Sequence, residues 1–156
     1  MLSILNNKSA HGRSYKDDAR AYLGVSRFVL PDSSPLIDDG GFYAPASEQY
    51  VLSAVSYAVS NQSDTQTIGL LYNACLSLLL LHIADSVWQS HVVNERGPDF
   101  SVEINLKKLS ELKAQFAAVF LDALENLGVE APSVPVLSVA SGSVNADMAL
   151  RPDPAL

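Results

Sequence analysis

Cysteine is nearly absent: Cys75 is the only one in the 156 residues. One cysteine excludes intramolecular disulfides and any zinc cage built from cysteines, and fits a reducing place of assembly. Charge is scarce too, at 17% Asp, Glu, Lys and Arg. That is little for a chain of this size to cover its surface with solvated side chains, so part of the surface is expected to be covered by protein. Positive charge is the scarcer sign, ten Lys+Arg against seventeen Asp+Glu for a net charge of -7. A basic phosphate-neutralising face is therefore disfavoured, although a channel that repels DNA is not. The N-terminal "MLSILNNKSAHGRSYK" lacks the continuous apolar stretch and small-residue cleavage site of a secretory leader, which points to the cytoplasm.

What the chain has in quantity is apolar residue, 48%, with a mean hydropathy of +0.15. This length suits one domain with tails. Residues 1–13 read as a polar arm, 14–128 as a helical domain and 129–156 as an extended tail containing Pro132, Pro135, Pro152 and Pro154. Four helices are expected. Ser14 caps the first, Asp17 and Asp18 favour its first turn, and Gly24 stops it, with Ala19, Tyr22 and Leu23 facing inward. A loop follows, with Pro31, Pro35, Gly40 and Gly41 as its turn residues. Pro45 suits the first turn of a second helix, which carries Val51, Leu52, Val55, Tyr57 and Val59 and ends at Asn61. Asp64 or Thr65 caps a third, running from Ile68 to Trp88 or His91. Asn105 caps a fourth, whose Leu106, Leu109, Leu112, Phe116, Val119, Phe120, Ala123, Leu124 and Leu127 recur at three and four before Gly128. Between the last two, residues 92–104 suggest a short β-like flap: Gly97-Pro98 is a turn and "FSVEI" alternates.

The stretch "IGLLYNACLSLLLLHIADSVW" is apolar enough to suggest a membrane span. Asn73, His82 and Asp85 interrupt it and no basic cluster flanks it, so a helix covered by protein is the better reading. Gly69, Asn73, Ser77 and Ala84 make a small-residue stripe along it that would admit a close neighbour. His82 and Asp85 stand one turn apart and could pair, the fragment of an acid/base site or of a metal's outer shell, but no nucleophile or further ligand is in register. A locally satisfied polar pair is the simpler reading. "DDGG" lacks the spaced oxygens and distal Glu of a calcium loop, and "ERGPDF" lacks the Lys and glycine spacing of a phosphate loop. Cys75 reads as a small core residue, and Lys107, Lys108 and Lys113 as a solvated face. No catalytic, cofactor-binding or metal-binding residue is assigned, and no cofactor is expected.

The segments "ARAYLGVSRFVLPDSSPLIDDGGFYAPASEQYVLSAV", "LLYNACLSLLLLHIADSVW" and "ERGPDFSVEINLKKLSELKAQFAAVFLDALE" resemble, in pattern and order, the head-tail connector or adaptor (neck) proteins of tailed bacteriophages. The resemblance covers Asp17 to Leu127. It implies a mainly α subunit, a helical bundle of about four helices, in a homo-oligomeric ring, dodecameric in expectation, under the portal. The portal protein and the tail or neck proteins would be its partners. DNA would pass through the ring without specific binding, no membrane is involved, and the place is the virion's head-tail junction after assembly in the host cytoplasm. It brings no catalytic residue, so the expected protein is not an enzyme. The partner-binding candidates are Val134, Val136, Leu137, Val139 and Val144 of the tail with Phe100 and Val102 of the flap. The alternative is a bacterial helical regulatory or chaperone-like protein whose groove takes a partner helix. A small hydrolase built on His82 and Asp85 comes third for want of a complete constellation.

Overall fold

The computed structural model describes residues 4–7, 14–62, 64–91 and 102–137. Among them are five helices and no strand: α1 (Tyr15–Leu23), α2 (Tyr43–Ala54), α3 (Tyr57–Ser60), α4 (Thr65–His91) and α5 (Val102–Asn126). The ends of α1 follow from its sequence. Ser14 accepts the Lys16 N–H, and Gly24, at φ 71, gives its own N–H to the carbonyls of Ala21 and Arg20.

At 27 residues, α4 is about 40 Å long and forms the axis of the fold. Its stretch Thr65–Gln89 is long and apolar enough to cross a membrane by length and composition, but 67% of the most apolar window is buried inside the molecule. The covering is α5, which packs along it most extensively, then α2 and α1. Lys108 lies over the Trp88 ring at 6.0 Å, Lys113 meets Asp85 at 3.0 Å, and the 115–119 stretch lies beside Asn73 to Leu80. Numbers rise along α5 as they fall along α4, so the two form an antiparallel pair. Leu78, Leu79, Ile83 and Ala84 of α4 and Phe120 of α5 are fully enclosed, and Tyr50 of α2 closes on Phe120 with ring centroids 6.2 Å apart.

Three expectations are corrected. The second helix is not continuous to Asn61: the backbone turns extended at Val55 (ψ 160), and Ser56 then caps the four-residue α3 by accepting the Val59 N–H. Ser56 competes for backbone bonds more effectively there than the helix does. Consequently Tyr57 is 84% exposed rather than on an inner face, and Leu52 is exposed too. The fourth helix starts at Val102, not after Asn105, so Val102–Ile104 is helix instead of strand. Alternation over so few residues does not outweigh the continuation of a strong helical period. The remainder of the proposed flap, residues 92–101, lies outside the described residues. Finally, Ile4 and Leu5 of the expected polar arm are buried in the core. Buried Glu48 on α2 accepts both of their backbone N–H groups at 3.0 Å with one carboxylate oxygen.

The loop between α1 and α2 is held by a polar network. The buried Arg20 guanidinium donates to the Leu30 carbonyl at 2.7 Å, Asp17 at 2.8 Å and Asp32 at 2.7 Å. Arg27 reaches the same two carboxylates at 3.3 Å. Nearer α2, the Tyr15 hydroxyl sits 2.5 Å from both the Ile37 carbonyl and Asp39, and Asn6 donates to Asp39 at 2.9 Å. Burial in this acidic surrounding, with the Asp39 contact next, pushes the Tyr15 hydroxyl well above its ordinary range.

Two glycines test how closely this loop is packed. A Cβ at Gly41 would stand 2.5 Å from the Pro35 carbonyl oxygen, whereas one at Gly69 on α4 meets nothing within 4 Å. Gly41→Ala is expected to destabilise the protein by about 1–3 kcal/mol, and Gly69→Ala to stabilise it by about 0.5–1 kcal/mol. Urea unfolding of the two variants checks the opposite signs.

Candidate partner-binding groove

The expected small-residue stripe on α4 has three different environments. Ala84 is fully buried, a Cβ at Gly69 would meet nothing within 4 Å, and between them Asn73 and Ser77 open into a groove of about 280 Å³. Leu76 and Leu80 complete the α4 wall, Gln115, Phe116 and Val119 of α5 form the other, and Tyr22 of α1 stands at the edge. Ser77 is buried, and its hydroxyl bonds back to the Asn73 carbonyl at 2.6 Å, so the floor presents mostly its methylene.

Each lining residue is neutral, so a partner seated there would be met by shape and apolar contact with the Asn73 and Gln115 amides as polar handles. Tyr22 is 57% exposed and Val119 46%. The sequence placed both inward. Tyr22 reaches the edge because α1 is short and Ala19 and Leu23 already fill its contact with the core. Val119 does so because the apolar arc of α5 is wider than the strip that α4, α2 and α1 cover.

The expected partner-binding residues that are described do not line this groove. Val134 and Val136 are exposed in the extended stretch after α5, and Leu137 is half-buried and packs against the core. Val102 is the first residue of α5. Phe100, Val139 and Val144 lie outside the described residues. Of the described ones, Val134, Val136 and Leu137 do not line the groove.

His82 and Asp85 do not pair. The imidazole lies 3.0 Å from the Leu78 carbonyl through Nδ1 and 3.2 Å from the Leu137 amide through Nε2, whereas Asp85 is taken by Lys113 at 3.0 Å. A residue three positions on points far enough round the helix for each to find a partner on a different segment. Cys75 is fully buried, and burial, helped by the charge of Glu48, pushes its thiol well up, away from the thiolate that nucleophilic chemistry needs. Among the described residues no group of three or more His, Cys, Asp or Glu could hold a metal ion. The chain matches no family model, no curated protein and no solved structure.

Proposed function

We propose that the protein is a structural virion component, a head-tail connector that assembles as a ring under the portal and joins the DNA-filled head to the tail. The observation that carries this reading is the uncharged groove between α4 and α5 with Tyr22 and Val119 exposed along it, a surface of the kind that a partner covers. The low charge of the whole chain, 17%, is in keeping with a subunit that has several protein neighbours. The net charge of -7 would keep the passing duplex from adhering to the channel wall.

Sedimentation velocity of the protein alone and mixed with a portal ring tests the proposal. Ring-sized species are expected in at least the second sample, and Tyr22→Asp with Val119→Asp should remove them while the circular dichroism stays helical. A monomer in both samples overturns the connector reading. The groove also favours the regulatory or chaperone-like alternative, in which one amphipathic helix occupies it. A one-to-one complex with a bacterial protein, lost in the same double variant, would decide for that alternative.

A further inference from the structure

Beyond Val129 the chain has little to hold it. Ala131 takes a left-handed φ of 46, and the chain then runs without regular structure to Leu137. Of its larger apolar side chains, Val134 and Val136 are exposed and only Leu137 packs against the core. Among the described residues, the hydrogen bond from the Leu137 N–H to His82 Nε2, at 3.2 Å, is the one that joins residues 130–137 to the helical body.

The two partners of His82 determine its tautomer. The Leu78 carbonyl can only accept, so Nδ1, 3.0 Å away, carries the hydrogen. A backbone N–H can only donate, so Nε2 must offer its lone pair to Leu137. Both contacts are made by a neutral imidazole and by no other form. A proton added to Nε2 would face the Leu137 N–H, turning a hydrogen bond into two opposed donors.

The carboxylates on these elements that could compensate an imidazolium are Asp85 on α4 and Glu130 on the C-terminal stretch, while Lys113 on α5 would oppose it. Asp85 is already engaged by Lys113 at 3.0 Å, and Glu130 is exposed near the start of the stretch. None of them bonds to the ring.

We propose that His82 is a proton-sensitive latch, holding the 130–137 stretch on the helical body when neutral and releasing it when protonated. The sign follows from the bond itself: attachment needs an unprotonated Nε2, so it holds while the ring is neutral and is lost when acid puts a proton on that nitrogen. Release would free Leu137 from its packing against the core. The latch does not depend on the connector reading, because it acts within one chain.

A spin label at Val136→Cys tests it, since Val136 is 85% exposed and the native Cys75 is fully buried and will not label. On acidification the immobile component of the spectrum should be lost with helical circular dichroism unchanged. His82→Gln, which can donate and accept at the same place but does not titrate, should keep one spectrum throughout. An unchanged spectrum in the chain with His82, or an equal pH response in His82→Gln, overturns the proposal. Nitrogen chemical shifts of the ring at about pH 8 give a second reading that does not depend on acid: Nδ1–H is expected, and Nε2–H would refute the latch.

Discussion

Leu79→Asp is expected to leave the chain without a cooperative unfolding transition at neutral pH. Leu79 is fully enclosed on α4. Removing its side chain alone costs about 2–5 kcal/mol. A carboxyl group in its place either holds an unpaired charge in the core or takes up a proton, adding several kcal/mol either way. The sum approaches the whole stability of an ordinary domain, about 5–15 kcal/mol. Its neighbour Leu80 would be a poorer choice because it also lines the groove, so loss of fold and loss of binding would be mixed. Leu52→Asp is the matched control: Leu52 is 38% exposed, and the change there should cost less than about 1 kcal/mol. Circular dichroism through a urea titration separates the two. A cooperative Leu79→Asp transition near that of the parent protein would mean that α4 is not the centre of the fold.

The position of α4 was legible because its signal is long and redundant. Asp64 accepts the Thr67 N–H at 3.0 Å as an end cap, and an all-round apolar pattern between Ile68 and Trp88 has to be enclosed by something. The ends of α1 were legible for the same reason, with Ser14 and Gly24 acting through their own backbone chemistry. The failures came where a local preference competes with a neighbouring element. "FSVEI" alternates, but its last three residues join the helix that follows. Val55-Ser56 reads as mid-helix by apolar spacing, and only the hydroxyl of Ser56 marks the break.

The groove was half legible. The stripe at Asn73 and Ser77 pointed to a close approach, and at Ala84 the helix is indeed fully covered. Which part of the stripe is covered depends on where α1 ends and on how α5 is rotated, and both are tertiary facts that apolar periodicity does not carry. The His82 contact with Leu137 spans 55 positions in the chain and joins a side chain to a backbone amide. Any residue except proline supplies that amide, so composition leaves no trace of it. The pairing of His82 with Asp85 was inferred from spacing on one helix, and it failed because each side chain is met from outside α4.

Arg20→Met should loosen the α1–α2 loop while leaving the helices in place. Arg20 holds Leu30, Asp17 and Asp32 together from a buried position. Methionine keeps much of the apolar stem but leaves the Leu30 carbonyl unpartnered and the two carboxylates with Arg27 alone. Both carboxylates are about half exposed, so water recovers part of the loss, and a cost of about 2–3 kcal/mol is expected. The hydrogen bonds from Arg20 hold Asp17 and Asp32 below the ordinary carboxylate range. On Arg20 itself burial disfavours the charge, but the two carboxylates outweigh it and raise its pKa. A depressed carboxylate stabilises the fold fully above its unfolded value, about 3.9, and the contribution is lost as pH falls through the lower folded value. The parent protein should therefore lose stability on acidification below about pH 4 more steeply than Arg20→Met, and the gap between their urea midpoints should narrow from neutral pH downward. An undiminished gap in acid would place the effect of Arg20 in its packing and its bond to Leu30, not in its carboxylates. Tyr22 shares α1 with Arg20, so the variant should also weaken whatever occupies the groove, even though Arg20 does not line it.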